Sequence, residues 1–298
     1  MSPVVVASVV APDLYDGDGG GWRLGDKAVY GLKQAPRAWY ATLTNFKVGS
    51  HLMLVQIYAD DIILGSTDPN LLNYFKNMMK SQFELSMMGK VNNFLGLYIR
   101  QSRECIFINQ ENYSRNLLVN FGMMNNTKLL VPMAVGTRLG PSFYNPAVDL
   151  TLYMSMISSL LYLTASRPDI MFAACNCARY KLNPREPHLT AVKNIFRYLK
   201  GTVSLGLLHP SKTGFFIQAF SDVDLGGCQL DRKSRSGGSQ LLDEKLVSWQ
   251  SKRLTCVSIS IAEAEYVVAV ACTSQIIWIQ IQLRDYVINM KKISLYCD

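Results

Sequence analysis

Histidine is scarce in this 298-residue chain, with three at positions 51, 188 and 209, and the seven cysteines never fall into Cys-x-x-Cys spacing. The paired ligands of a usual zinc site are therefore missing. An odd number of irregularly spaced cysteines also argues against a disulfide framework and for a reduced, intracellular compartment, cytoplasm or nucleus. No basic residue precedes the apolar Val4–Ala11 stretch, so a secretory signal is not expected. No uncharged stretch reads as long and apolar enough for a membrane span, and no membrane partner is expected. Charged residues are few, 17% against 49% apolar, which describes a globular chain large enough for one large domain or two ordinary ones.

Net charge is +8, and its distribution says more than its size. Residues 1–100 hold 9 Lys+Arg against 8 Asp+Glu, residues 101–200 hold 11 against 5, and residues 201–298 hold 10 against 9. The excess is +1, +6 and +1, so a polyanion-facing surface is expected in the middle third.

Two adjacent carboxylates, Asp60 and Asp61, interrupt an apolar run between Leu52–Ile57 and Ile62–Leu64, both of which read as buried strands. Desolvating an anion is costly, so acids seldom enter such a place without a partner. An Asp-Asp step at a hairpin tip suits divalent metal ions at a nucleotidyl-transfer site; an ordinary Asp-rich turn is the plainer reading.

Along the chain, residues 13–21 are acidic and Gly-rich and cannot build a core, so 1–26 reads as a flexible lead-in. Residues 31–45 suggest a loop entering a helix, followed by the Asp-Asp hairpin at 52–65. Asp68-Pro69 opens a helix to about Phe83. Val91–Ile99 and Glu104–Ile108 look like a strand pair, and Gln110–Phe121 like a helix closed by Gly122. The Pro- and Gly-containing stretch 122–147 reads as a connection. Asp149–Ala165 and Pro168–Lys181 read as helices. Pro187–Lys200 is amphipathic, with Leu189, Val192, Ile195, Phe196 and Leu199 on one face and Lys193, Arg197 and Lys200 as a basic stripe on the other. That stripe is either a solvated face or a phosphate contact.

From residue 214 the pattern turns to strands at 215–221, 238–242 and 245–251, then a helix from a Ser260/Glu263 capping box to about Leu283, then a strand at 293–297. This is an incomplete α/β layer. The expected segments are 1–26, 27–147, 148–210 and 211–298. Strand ends and the next helix's N-terminus meet at one edge of an open sheet, so Asp222, Glu265 and Asp298 could gather there and hold Mg²⁺ or Mn²⁺. Glu263 is better explained as a capping partner, and Asp224 as a solvated loop acid.

Several longer motifs then match a known family. Gly31–Tyr40 and Tyr58–Ile63 resemble the reverse transcriptase of copia-type retrotransposon polyproteins, especially those of plants. Leu161–Ile170 and Ile195–Thr202 are similar to the connecting region. Ser221–Asp224, Asp231–Ser234, Ala262–Tyr266 and Tyr296–Asp298 resemble the ribonuclease H domain. The resemblance covers roughly residues 27–298, in the family's order. It implies an α/β (α+β) architecture: a partial polymerase palm and thumb joined to a truncated ribonuclease H-like mixed sheet with helices. It implies that Asp60 and Asp61 are palm metal ligands, and that Gln34, Pro36 and Arg37 lie near the nucleotide or template. Asp222, Glu265 and Asp298 would be ribonuclease H metal ligands, with Mg²⁺ or Mn²⁺ as cofactor. RNA template, DNA and RNA–DNA hybrid would be the partners.

The departures are also specific. The family's earlier palm aspartate has no good counterpart within 1–26, and the chain is shorter than the family between Tyr40 and Leu52. The later ribonuclease H elements are not in the sequence. Leu225 stands where an aromatic is usual, and Arg235 where a small hydroxyl residue is. A defective enzyme is the expectation, with a non-catalytic nucleic-acid-binding protein as the alternative.

Overall fold

The computed structural model describes residues 5–9, 47–48, 51–58, 61–82, 85–211, 216–227, 232–285, 288, 290 and 293–297. Met1–Asn92 and Asn93–Asp298 form two separate units.

In the first unit the elements are β1 (Val5–Val9), β2 (Lys47–Val48), β3 (His51–Tyr58), β4 (Asp61–Ser66), α1 (Pro69–Gln82) and β5 (Leu85–Lys90). β1 corrects the expectation of a lead-in without regular structure throughout 1–26. Its valine-rich sequence suits a pleated strand. It pairs antiparallel with β4 on one side and β5 on the other, in a sheet of order β2-β3-β4-β1-β5. The hairpin expected at 52–65 is β3–β4, with Tyr58 paired to Asp61. Asp68 caps α1 by accepting from the Asn70 N–H at 2.9 Å, and Pro69 takes the first helical position. Leu71, Leu72, Phe75 and Met79 then pack on Met53, Val55, Ile62 and Leu64 as the unit's core.

The second unit begins with β6 (Asn93–Phe94), β7 (Leu97–Gln101) and β8 (Cys105–Asn109). The single strand expected at 91–99 is broken because Leu95 and Gly96 turn the chain with φ of +48° and +75°. Four helices follow, α2 (Glu111–Asn120), α3 (Leu150–Leu163), α4 (Met171–Ala178) and α5 (Glu186–Gly201), with β9 (Gly206–Pro210) completing a sheet of order β6-β7-β8-β9. The helix expected at 168–181 is a 3-10 turn at Pro168–Ile170 followed by the shorter α4. Tyr153, Leu160, Leu163, Ile195, Phe196 and Leu199 are fully buried at the centre of the helical cluster.

Arg167 is the largest fully buried side chain, and it organises this cluster. Its guanidinium grips Asp169 through two nitrogens, at 2.9 and 2.7 Å, and donates to the carbonyl and hydroxyl of Thr202 at 2.9 and 2.8 Å. The Tyr198 hydroxyl donates to the same carboxylate at 2.8 Å. A buried cation is tolerable when it is paired and its donors are satisfied, and here both conditions are met. The Ser166–Asp169 and Tyr198–Thr202 segments are thereby one structural joint.

The last layer contains β10 (Ile217–Asp224), β11 (Arg235–Leu242), β12 (Lys245–Arg253), α6 (Ile261–Asp285) and β13 (Ile293–Cys297). The sheet order is β12-β11-β10-β13: three antiparallel strands, then a helical crossover to a fourth strand parallel to β10. β10 runs through Asp222 and Asp224 instead of ending at Ser221, because Gly237 and Arg235 pair with them across β11. Trp249 Nε1 donates to the Thr164 carbonyl at 2.9 Å, fastening this sheet to the helices. Arg235 reaches the Gly227 carbonyl and lies over the Phe172 ring, at 5.6 Å.

α6 corrects the expectation about membrane spans. Ile261–Arg284 is long and apolar enough to cross a membrane by length and composition, with a mean hydropathy of 1.5 over an 18-residue stretch of it. Its polar residues Thr273, Ser274 and Gln275 mask an uncharged run from Tyr266 to Leu283. Ala264, Val268, Cys272 and Ile276 are buried at the sheet, so one face of the helix serves a sheet layer.

Candidate functional site

Alternation along β4 sends Ile62 and Leu64 to the α1 side and leaves Asp61 and Ile63 on the opposite, half-buried face. Asp61 is thus held by the core residue that follows it. Its partner on β1 by register is Ser8, a residue without a carboxylate. Asp60, Gln34, Pro36 and Arg37 lie outside the described residues.

In the second unit, topology carries the candidate acids to one sheet edge. β10 and β13 are parallel, with Ser221 beside Cys297, so both strands finish at the same end. β12 finishes there too, Arg253 standing level with Arg235 and Asp224, and α6 starts from that end. Ala264 belongs to the small core cluster that includes Leu254 and Val223, which brings the adjacent Glu265 to the level of Asp222. Asp222 is exposed, and strand alternation puts it on the face away from Val223. The two acids thus flank, in sequence, residues of one small core cluster, with Asp222 on the other face of its strand. Asp298 lies outside the described residues.

Glu263 has a capping role. Its N–H donates to Ser260 Oγ at 3.1 Å, and its carboxylate accepts from the Ile259 N–H at 2.7 Å, one residue earlier than the usual box. Asp224 is exposed, on the strand and not in a loop.

The basic stripe on α5 is divided. Lys200 Nζ donates to the Asn126 carbonyl at 2.7 Å, and the Arg197 carbonyl accepts from Leu129 N–H, so this end ties down the 122–147 connection. Arg197 is half-buried and reaches Asn194 Oδ1 at 3.2 Å, whereas Lys193 is exposed.

Among the described residues no three His, Cys, Asp or Glu side chains come together as a metal site. The described part of the β3–β4 hairpin supplies one acid, Asp61, and the described sheet edge two, at Asp222 and Glu265. These described residues alone do not make up the donor set of a divalent cation. Among the described residues, Cys105, Cys175, Cys177, Cys256, Cys272 and Cys297 are free thiols.

A family model described as reverse transcriptase (RNA-dependent DNA polymerase) matches residues 9–135, which include both hairpin acids. The chain is 31% identical to the Retrovirus-related Pol polyprotein from transposon RE1 of Arabidopsis thaliana, over 91% of this chain and 20% of that protein. It is 29% identical to the corresponding polyprotein from transposon TNT 1-94 of Nicotiana tabacum, over 92% of this chain and 23% of that one. It is also 30% identical to the uncharacterized mitochondrial protein AtMg00810 of Arabidopsis thaliana, over 76% of this chain and 94% of that protein.

The chain belongs to the copia-type retrotransposon Pol family.

Within that family it is a reverse-transcriptase-like segment, spanning about a fifth of the length of the polyproteins it matches. The residues that sequence reading passed over are Ser8, hidden in a stretch with no periodic signal, and Arg167. The latter lies within Leu161–Ile170, but its burial depends on Thr202, which is 35 residues away.

Proposed function

We propose that this chain is the reverse transcriptase and ribonuclease H region of an intracellular copia-type element, and that by itself it does not polymerise DNA. The observation that carries the second half is the register of β1. Ser8 is paired with Asp61 on the strand beside the hairpin, so no acid stands at that position to share a cation. Two-metal phosphoryl transfer depends on carboxylates that neutralise the metal charge, and losing one removes a large part of the transition-state stabilisation. Mg²⁺ or Mn²⁺, when bound to Asp60 and Asp61, would supply Lewis-acid activation of the phosphate.

The ribonuclease H assignment is supported by the β12-β11-β10-β13 order and by Asp222 and Glu265 at the edge where β13 runs towards Asp298. RNA template, DNA and an RNA–DNA hybrid are the partners on this reading, with RNA distinguished by its 2′-hydroxyl and minor-groove shape.

Primer extension on primed RNA, with Mg²⁺ or Mn²⁺, tests the proposal. No incorporation is expected from the purified chain. Incorporation that disappears in Asp60→Asn would show the polymerase to be active and overturn the reading. Hybrid binding measured in parallel distinguishes the alternative. A non-catalytic binder using the basic middle third would bind in a salt-dependent way and weaken on Lys193→Ala.

A further inference from the structure

We propose that the outward face of α6 is a self-association surface on which a second copy of this chain lies antiparallel. This inference does not depend on the catalytic reading above. Ala264, Val268, Cys272 and Ile276 turn one side of the helix to the sheet. The opposite side carries Glu263, Tyr266, Val270, Ile277, Ile281 and Arg284, all exposed, with Tyr266 at 76% and Val270 at 67%. With Ser274 between Val270 and Ile277, successive residues are three or four apart (three, four, four, three, four, three), the spacing of a helix–helix seam.

The order of these residues selects the occupant. Position numbers add to the same value for Glu263 with Arg284, Tyr266 with Ile281, and Val270 with Ile277. A two-fold axis between Thr273 and Ser274 would therefore bring each into register with its counterpart on the other copy. The outermost pair then joins Glu263 of one chain to Arg284 of the other, twice. Apolar residues meet inside, and two small hydroxyl residues at the crossing permit close approach. A self-complementary patch of this kind is what an isologous interface requires. The seam is about 31 Å long, from 1.5 Å of rise per residue. One helix pair of that length is a small interface, so a dissociable dimer is expected.

Sedimentation of the full chain over a range of concentrations tests this. The wild type should pass from monomer to dimer. Arg284→Glu places like charges together and should raise the dissociation constant about tenfold or more. Glu263→Arg should do the same, although it also removes a helix cap. An equimolar mixture of the two variants should form a heterodimer, because every charge contact is then attractive. Misfolding cannot produce that recovery. Wild-type monomer at every concentration overturns the proposal, as does a dimer indifferent to Arg284→Glu or a mixture that stays monomeric. A chain that stays monomeric in buffer but floats with phospholipid vesicles would assign the face to a lipid surface and equally overturn it.

Discussion

Replacing Asp169 by Asn tests the joint between the Ser166–Asp169 and Tyr198–Thr202 segments. Arg167 is 2% exposed and Asp169 30%, so the change removes the counter-charge of a cation that cannot reach water. Breaking one side of a buried pair costs about 3–5 kcal/mol. The partial exposure of Asp169 and the two surviving bonds to Thr202 place the expected loss near the lower end, about 3 kcal/mol. In a unit of this size that corresponds to roughly 6–12 °C in Tm. Arg167→Met should be milder, roughly 1–2 kcal/mol, since it removes the buried charge and leaves a carboxylate that can hydrate and keep Tyr198. Urea denaturation with an unchanged slope is the assay. The reasoning fails if Asp169→Asn lies within about 0.5 kcal/mol of wild type, or if Arg167→Met is the more damaging change. The pH dependence gives a second check. Burial alone would raise the Asp169 carboxyl, but the Arg167 hydrogen bonds and charge, with the Tyr198 hydroxyl, outweigh it and hold it below its ordinary 3.8. Its folded value is therefore the lower one. The stabilisation is complete above the unfolded value and fades as pH falls through the folded one, and Asp169→Asn should abolish that acid-side loss.

Three further outcomes are expected from the second unit. Gly96→Ala should destabilise by about 1–3 kcal/mol, because φ is +75° there and an added Cβ would meet the Tyr162 hydroxyl that bonds Leu95 O. Thermal melts of this variant and of Gly96→Ala with Tyr162→Phe separate the two causes. His188 accepts the Arg185 N–H at Nδ1 and approaches Gly140 O with Nε2 at 2.7 Å, an arrangement that needs the neutral ring. Burial lowers its pKa from 6.5, Gly140 opposes this and the Arg185 charge adds to it. The unfolded chain therefore binds the proton first, and stability should fall as pH drops below about 6.5. His209, also held low by burial and by Lys245, should leave a residual slope in His188→Gln, read from urea midpoints between neutral and mildly acid pH. Tyr153→Phe should cost about 1–2 kcal/mol in the same assay by stranding the buried Cys177 carbonyl that the hydroxyl bonds at 2.8 Å.

The elements legible in the sequence are those whose signal is local. Asp68-Pro69 announces α1, Ser260 with Glu263 announces α6, and 3.6-residue periodicity marks α5 within a residue or two of Glu186–Gly201. What escaped depends on distant partners. β1 is a short valine run that becomes a strand only between β4 and β5, which are more than fifty residues away. β9 exists because β8 pairs with it across the whole helical cluster. β10 extends through Asp222 and Asp224 because β11 offers a glycine and an arginine opposite them, a compatibility that no window around residue 222 contains.

The same division applies to the candidate sites. Asp61 was conspicuous because an acid inside an apolar run breaks a local pattern, and Asp222 and Glu265 because they sit beside element boundaries. Whether acids can share a cation is a non-local property. It is set by cross-strand register at the hairpin and by the face of the strand at the sheet edge. At the hairpin the register places Ser8 opposite Asp61, so a legible motif is joined to a partner strand that cannot add a charge. At the sheet edge, α6 and β10 share a level, but alternation turns Asp222 from the side on which Ala264 packs. A motif is therefore legible from a local window, whereas the residues that stand beside it are set by strands far away along the sequence.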